Sequence, residues 1–278
     1  MALVYQRFTH ASVNKAEDDI LLRINFMDSQ REDNLSLLLS SSDFKVIEVR
    51  GETPRNPGGI MGSRDLQGLL GKRIYLKSIQ GIRESFVGMP KEEREHLFQL
   101  IVAGVSVVVQ AEVFLLAERG FSTPEEFENF FQKIYGDGCI YYANLDRVQR
   151  DFTAYVEANH KGRGRESLFN RHTLTTIRRA PGEDRFLVRG NICDSFHEIA
   201  MKLLVDSDKT ILASRASFPR VPDPVCVESG NYFHKINGKR LSSANIRELT
   251  GIAGGSKGCA HLSDLMVEGA RSLEKVLC

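Results

Sequence analysis

Net charge is nearly absent from this sequence. Its 37 Lys and Arg residues are balanced by 36 Asp and Glu, for a formal net charge of +1 over 278 residues. That balance removes a bulk electrostatic drive toward nucleic acid or an anionic membrane, and neither is expected as a partner. Also missing is an apolar run near Met1 suited to a secretory signal, since Met1 to His10 interleaves Tyr5, Gln6, Arg7 and His10 with short apolar stretches. The expected location is therefore cytoplasmic. Cysteine is sparse and odd in number, five in all. In a reducing compartment this argues against a disulfide framework and for metal binding, catalysis or burial.

One long apolar run is present. Leu97 to Ala117 is interrupted only by Gln99, Gln110, Glu112 and small residues. A charged residue inside a membrane span is costly, so a core or interface helix is expected, one that needs cover on most sides. A local basic stretch, Lys161 to Arg165, reads as a solvated linker.

The chain repeats itself. Leu21–Glu32 aligns without a gap on Leu187–Glu198, sharing Arg23 with Arg189, Asn25 with Asn191 and Asp28 with Asp194. The pattern Ser42 to Arg50 followed by Pro54-Arg55 returns as Ser207 to Arg215 followed by Pro219-Arg220. Gly71-Lys72-Arg73 meets Gly238-Lys239-Arg240, and His96-Leu97 meets His261-Leu262. Internal periodicity of this kind marks a duplicated structural unit. In each copy Leu35–Leu39 or Met201–Val205 reads as a strand, and Val46–Val49 or Ile211–Ser214 as its partner. An apolar-periodic helix then closes the copy. In the second it carries Leu262, Leu265, Met266, Gly269, Leu273 and Val276 on one face. The expected class is α+β, with helices packed on a small antiparallel sheet. Residues 1–118 form one copy and 166–278 the other. Between them, 119–165 is a helical insert and linker, with a helix starting at Ser122-Thr123-Pro124 and a second over Leu145 to Ala158.

Three cysteines fall at landmarks of the second copy. Cys193 precedes Asp194, Cys226 follows Pro222 to Pro224, and Cys259 ends a glycine-rich turn at the start of the last helix. The aligned positions in the first copy are Met27, Met61 and Arg94, so all three thiols are missing there. Thiolate and imidazole suit zinc, iron and iron–sulfur clusters. A helix start and Lys257 are expected to favour the Cys259 thiolate. Asp194 offers an oxygen ligand or a group that orients His197 or His261. Cys139 and Cys278 are assigned no site role.

The order Cys193-Asp194, Met201–Asp206, Ile211, Cys226, Gly238-Lys239, Cys259 resembles the iron–sulfur scaffold proteins of the IscU/NifU type. A stretch with the Gly258-Cys259-Ala260-His261-Leu262 signature also resembles an uncharacterised bacterial domain family. The IscU/NifU resemblance implies two tandem IscU/NifU-like domains, the first degenerate. It also implies cofactor binding by Cys193, Asp194, Cys226 and Cys259. The metal set is then Cys193, Cys226 and Cys259 with His197 and His261, the cofactor an iron–sulfur cluster or zinc, and the partner a client metalloprotein. A homo-oligomer is left open.

The leading functional expectation is a binding protein, an assembly, carrier or accessory factor with no catalytic residue. The first rival is a thiol-dependent enzyme with Cys259 as nucleophile and a nearby histidine as base. The second is a structural subunit whose cysteines are incidental.

Overall fold

The computed structural model describes residues 1–160 and 166–277. The basic linker Lys161 to Arg165 and Cys278 lie outside the described residues. The class is mixed α+β, with nine strands and eight α-helices among the described residues. The strands are β1 (Ala2–Ala16), β2 (Asp19–Asp28), β3 (Glu32–Leu39), β4 (Val46–Arg55), β5 (Gly62–Ser63), β6 (Ser167–Arg179), β7 (Arg185–Asp194), β8 (Glu198–Asp206) and β9 (Ile211–Arg220). The helices are α1 (Ile79–Glu84), α2 (Lys91–Ala111), α3 (Pro124–Tyr135), α4 (Ile140–Ala143), α5 (Phe152–His160), α6 (Gly230–Phe233), α7 (Ile246–Ala253) and α8 (Ala260–Leu277).

The chain divides into two compact units. An amino-terminal unit takes Thr9–Phe127 and His160–Arg171, and a carboxyl-terminal unit takes Met1–Phe8, Glu128–Asn159 and His172–Cys278. Strands β1 and β6 contribute residues to both.

In the amino-terminal unit β2, β3, β4 and β5 pair antiparallel in that order. Strict alternation drives the inner face. Leu35, Leu37 and Leu39 of β3 and Ile20, Leu22, Ile24 and Phe26 of β2 all point inward, fully buried or nearly so. Helix α2 lies against that face. A Cβ on Gly104 would stand 2.7 Å from Ile24 Cδ1 and 2.9 Å from Leu22 Cδ2, so glycine is what lets helix and strand approach so closely. The apolar run expected to need cover thus finds it on the sheet of its own unit, with Leu97, Leu100, Ile101 and Val105 buried. By length and composition alone the helix would cross a membrane, yet most of its apolar stretch is buried inside the protein.

In the carboxyl-terminal unit β7, β8 and β9 pair antiparallel. Phe186, Val188 and Ile192 of β7 and Ile199, Met201, Leu203 and Val205 of β8 face the core. Helix α8 covers them with Leu262, Leu265, Met266 and Leu273. Here two glycines make room, Gly190 beneath Leu265 and Gly269 above Val188, each within 3.2 Å as a Cβ.

The same irregularities recur in both units. The β3–β4 ladder shifts register between Glu32 and Asn34 and between Leu38 and Leu39. The β8–β9 ladder does so between Glu198 and Ala200 and between Leu204 and Val205. Phe44 and Lys209, each two residues before the start of the partner strand, both adopt positive φ, 58° and 68°. Each Gly-Lys-Arg stretch folds back on its strand: Gly71 N donates to Val46 O at 2.9 Å, and Gly238 N to Ile211 O at 2.8 Å. Ile74 and Leu241, just after, are fully buried.

One feature of the insert differs from expectation and one does not. Helix α3 starts as read, with Thr123 Oγ1 accepting from Glu126 N and Glu126 Oε2 accepting from Ser122 N. The second helix does not run from Leu145. A 3-10 turn covers Leu145–Arg147, and the helix begins only at Phe152. The Asp223 carboxylate accepts from Gln149 N and Arg150 N, both at 2.9 Å, and holds that segment out of helical geometry.

Candidate metal centre

Asp194 closes β7 at an inward-facing position and is 5% exposed. A buried carboxylate needs partners, and the hairpin turn supplies them. Asp194 Oδ1 accepts from Phe196 N at 2.8 Å and from His197 N at 2.7 Å, while Asp194 N donates to His197 O at 2.8 Å. Such a turn is a local property of aspartate. It fixes His197 beside the carboxylate, with Nδ1 3.1 Å from Asp194 Oδ1.

Arg220, at the end of β9, clamps the turn from its other side. Its Nη2 donates to Asp194 O at 2.6 Å and its Nη1 to Ser195 O at 2.9 Å. Helix α5 holds the turn's tip: Tyr155 OH donates to Phe196 O at 2.7 Å, and Phe152 meets the Phe196 ring edge-on at 5.0 Å. The Pro54-Arg55 and Pro219-Arg220 motifs thereby gain a common role, since Arg55 Nη2 donates to Asp28 O at 2.7 Å in the other copy of the turn.

The first turn of α8 brings His261 over this platform. The His197 and His261 rings lie 4.1 Å apart between centroids, and His261 Nε2 stands 3.7 Å from Asp194 Oδ2. The ligand-capable atoms of Asp194, His197 and His261 all fall within 4.8 Å of one another, and all three residues are largely buried. Two imidazoles and one carboxylate form a donor set suited to zinc or ferrous iron. On the far side of the ring, His261 Nδ1 lies 3.8 Å from Cys259 Sγ.

The cysteines do not assemble as expected. Strand alternation puts neighbours on opposite faces, so Cys193 is exposed while Asp194 faces inward. Cys193 cannot join the group around Asp194. It stands 4.0 Å from the Arg220 guanidinium on the outer face. Cys226 is buried in the 3-10 turn Pro224–Ser229, and burial pushes its thiol well above the ordinary range. Burial likewise raises Cys259, to about 12, although it precedes a helix start. Lys257 does not offset this, its Nζ lying 6.0 Å over the Tyr232 ring. Cys139, assigned no site role, is close enough to Cys226 and Cys259 that a negative charge on it raises both. Backbone pairing explains the approach, since Ile140 N donates to Gly258 O at 2.8 Å.

The amino-terminal unit carries a different network at the matching place. The turn residue aligned with His197 is Arg31, and its guanidinium bonds Asp33 at 2.6 and 2.9 Å and Glu93 at 2.6 and 2.8 Å. His96, aligned with His261, places Nε2 2.7 Å from Asp33 Oδ2. Thr53 Oγ1 also donates to Asp33. Burial alone would raise the Asp33 carboxyl, but the bonds from His96, Arg31 and Thr53 outweigh it and hold the group well below the usual carboxylate range. Where the carboxyl-terminal unit gathers three ligand-capable groups, the amino-terminal unit carries the Arg31 guanidinium.

Residues 182–273 match the model of a family described as a protein of unknown function, DUF2889. That stretch includes Cys193, Asp194, His197, Cys226, Cys259 and His261. The matching family is not an IscU/NifU family, so the expected membership of the iron–sulfur scaffold superfamily is overturned, and with it the two tandem IscU/NifU-like domains. No curated protein and no solved structure matches the chain.

Proposed function

We propose that this protein binds one divalent transition metal, zinc or ferrous iron, through Asp194, His197 and His261. In this reading it acts in the cytoplasm as a metal-binding accessory or carrier protein for a client metalloprotein. The observation that carries the proposal is the convergence of three ligand-capable side chains within 4.8 Å in a buried setting. The supporting scaffold adds to it: the Asp194 turn and the Arg220 clamp fix the backbone from which Asp194 and His197 project. A three-donor set leaves coordination positions for water or a client's ligand.

The shared bulges, positive-φ turns and Gly-Lys-Arg bridges support a tandem duplication. In the amino-terminal copy Arg31 supplies a fixed positive charge at the turn position where the carboxyl-terminal copy has His197. That copy is therefore proposed to bind no metal.

A second reading is favoured by the line Cys259 Sγ–His261 Nδ1, 3.8 Å, and His261 Nε2–Asp194 Oδ2, 3.7 Å, a nucleophile–base–carboxylate order. Burial of the thiol weighs against it. Cobalt(II) loading of the full chain separates the two. The metal reading predicts a visible cobalt spectrum that survives Cys259→Ser and Cys193→Ser and disappears in His197→Ala and His261→Ala. Absence of any cobalt spectrum in the parent protein contradicts the metal reading and leaves the thiol.

A further inference from the structure

Three cations stand in one row on the outer face of the carboxyl-terminal unit. The register pairs Arg189 with Lys202 and Lys202 with Arg215, so the three side chains sit directly opposite one another on adjacent strands. All three are exposed. Among the described residues none of their side chains has a hydrogen-bond or ion-pair partner. The flanking rows offer no acid. On one side lie Leu187, Leu204 and Ala213, and on the other Asn191, Ala200 and Ser217. The nearest acids on this face, Asp206 and Glu198, lie opposite Arg185 and Arg220.

Like charges directly opposite across strands destabilise a sheet. Strands about 4.8 Å apart leave the three charged heads within a span of roughly 10 Å at their roots, inside one or two Debye lengths at physiological salt. The amino-terminal copy relaxes the same row: its matching positions are Arg23, Ser36 and Arg50, and Arg50 is 3.8 Å from Glu48. The unrelieved row therefore belongs to the carboxyl-terminal copy, and it costs stability unless an anion covers it.

We propose that the row Arg189–Lys202–Arg215 docks a carboxylate-rich segment of a protein partner. Charge complementarity calls for an anion, and the face carries no aromatic ring in these or the flanking rows on which nucleic-acid bases would stack. With a whole-chain net charge of +1 there is no wider positive field to gather a nucleic acid or an anionic membrane. A short acidic segment needs only the local row.

The test uses the full chain and a fluorescent oligoglutamate peptide. The parent should bind it, with affinity falling as salt is raised. A combined Arg189→Gln, Lys202→Gln and Arg215→Gln variant keeps part of each aliphatic stem and should lose about tenfold or more, the scale of three exposed ion pairs. Its melting temperature should be unchanged or higher, because the repulsion is gone. A control with the same charge loss elsewhere, at exposed Lys77, Lys91 and Lys133, should bind like the parent. The proposal is overturned if the parent does not bind the peptide or if the two triple variants weaken equally. Preferential binding of a single-stranded oligonucleotide or of phosphatidylserine vesicles, lost in the row variant, would also overturn it.

Discussion

Asp33→Ala is expected to be among the most damaging single changes in the amino-terminal unit. Asp33 is fully buried and accepts from Arg31 Nε at 2.6 Å, from Arg31 Nη2 at 2.9 Å, from His96 Nε2 at 2.7 Å and from Thr53 Oγ1. Removing one partner of a buried ion pair costs about 3–5 kcal/mol, because the other charge is left uncompensated. Arg31 keeps Glu93, at 2.6 and 2.8 Å, so the lower end applies. A loss of about 3 kcal/mol shifts melting by roughly 6–12 °C in a protein of this size. Thr53→Val deletes the Thr53 donor to Asp33 and the acceptor of Arg64 Nε, and is expected to cost about 1–2 kcal/mol. The pH dependence follows from the depressed Asp33 carboxyl. A group held below its unfolded value contributes stability that is fully present above about pH 4 and is lost as the pH falls. Thermal melts of parent and variant should therefore converge on acidification. If Asp33→Ala costs no more than Thr53→Val at neutral pH, the network is not the built-in cation site described here.

Two further outcomes follow from the carboxyl-terminal unit. A Cβ on Gly258 would meet Ala253 O at 2.2 Å and Gly254 O at 2.3 Å, backbone atoms that cannot swing aside. Gly258→Ala should cost about 3 kcal/mol and, by displacing Cys259 and His261, lower metal content, as checked by melting and metal analysis together. Alkylation of the native protein with peptide mapping should modify exposed Cys193 well before buried Cys226 and Cys259, whose thiols burial pushes up.

Much of the scaffold was legible in the sequence because its alternation is clean. The inner leucines of β3 and the apolar stripe of α8 report their faces directly, and the gapless match of Leu21–Glu32 on Leu187–Glu198 marks equivalent segments, which the structure shows to be β2 and β7 with the turns after them. Strands β1 and β6 were not legible, because polar residues occupy their inward positions. Arg7 is buried against Glu268 at 2.7 Å, and Arg171 against Ser106 at 2.8 Å, so the period-two pattern is broken by side chains whose partners are distant in sequence.

The candidate site was half legible. Asp194, His197, Cys259 and His261 were singled out and lie together. The IscU/NifU resemblance groups Cys193 with Asp194, yet adjacency on a strand means opposite faces. His96 and His261 occupy matching sequence positions. The histidines meet different neighbours, Asp33 in one copy and Asp194 with His197 in the other, because the residue at the turn is arginine in one and histidine in the other.

Metal stoichiometry of the full chain, purified without oxygen and titrated with zinc, tests the central claim most directly. One tightly bound ion per chain is expected, lost in Asp194→Asn, His197→Ala and His261→Ala, and retained in Cys193→Ser and His96→Ala. Retention of the ion in the first three variants, or its loss with Cys193→Ser alone, would contradict it.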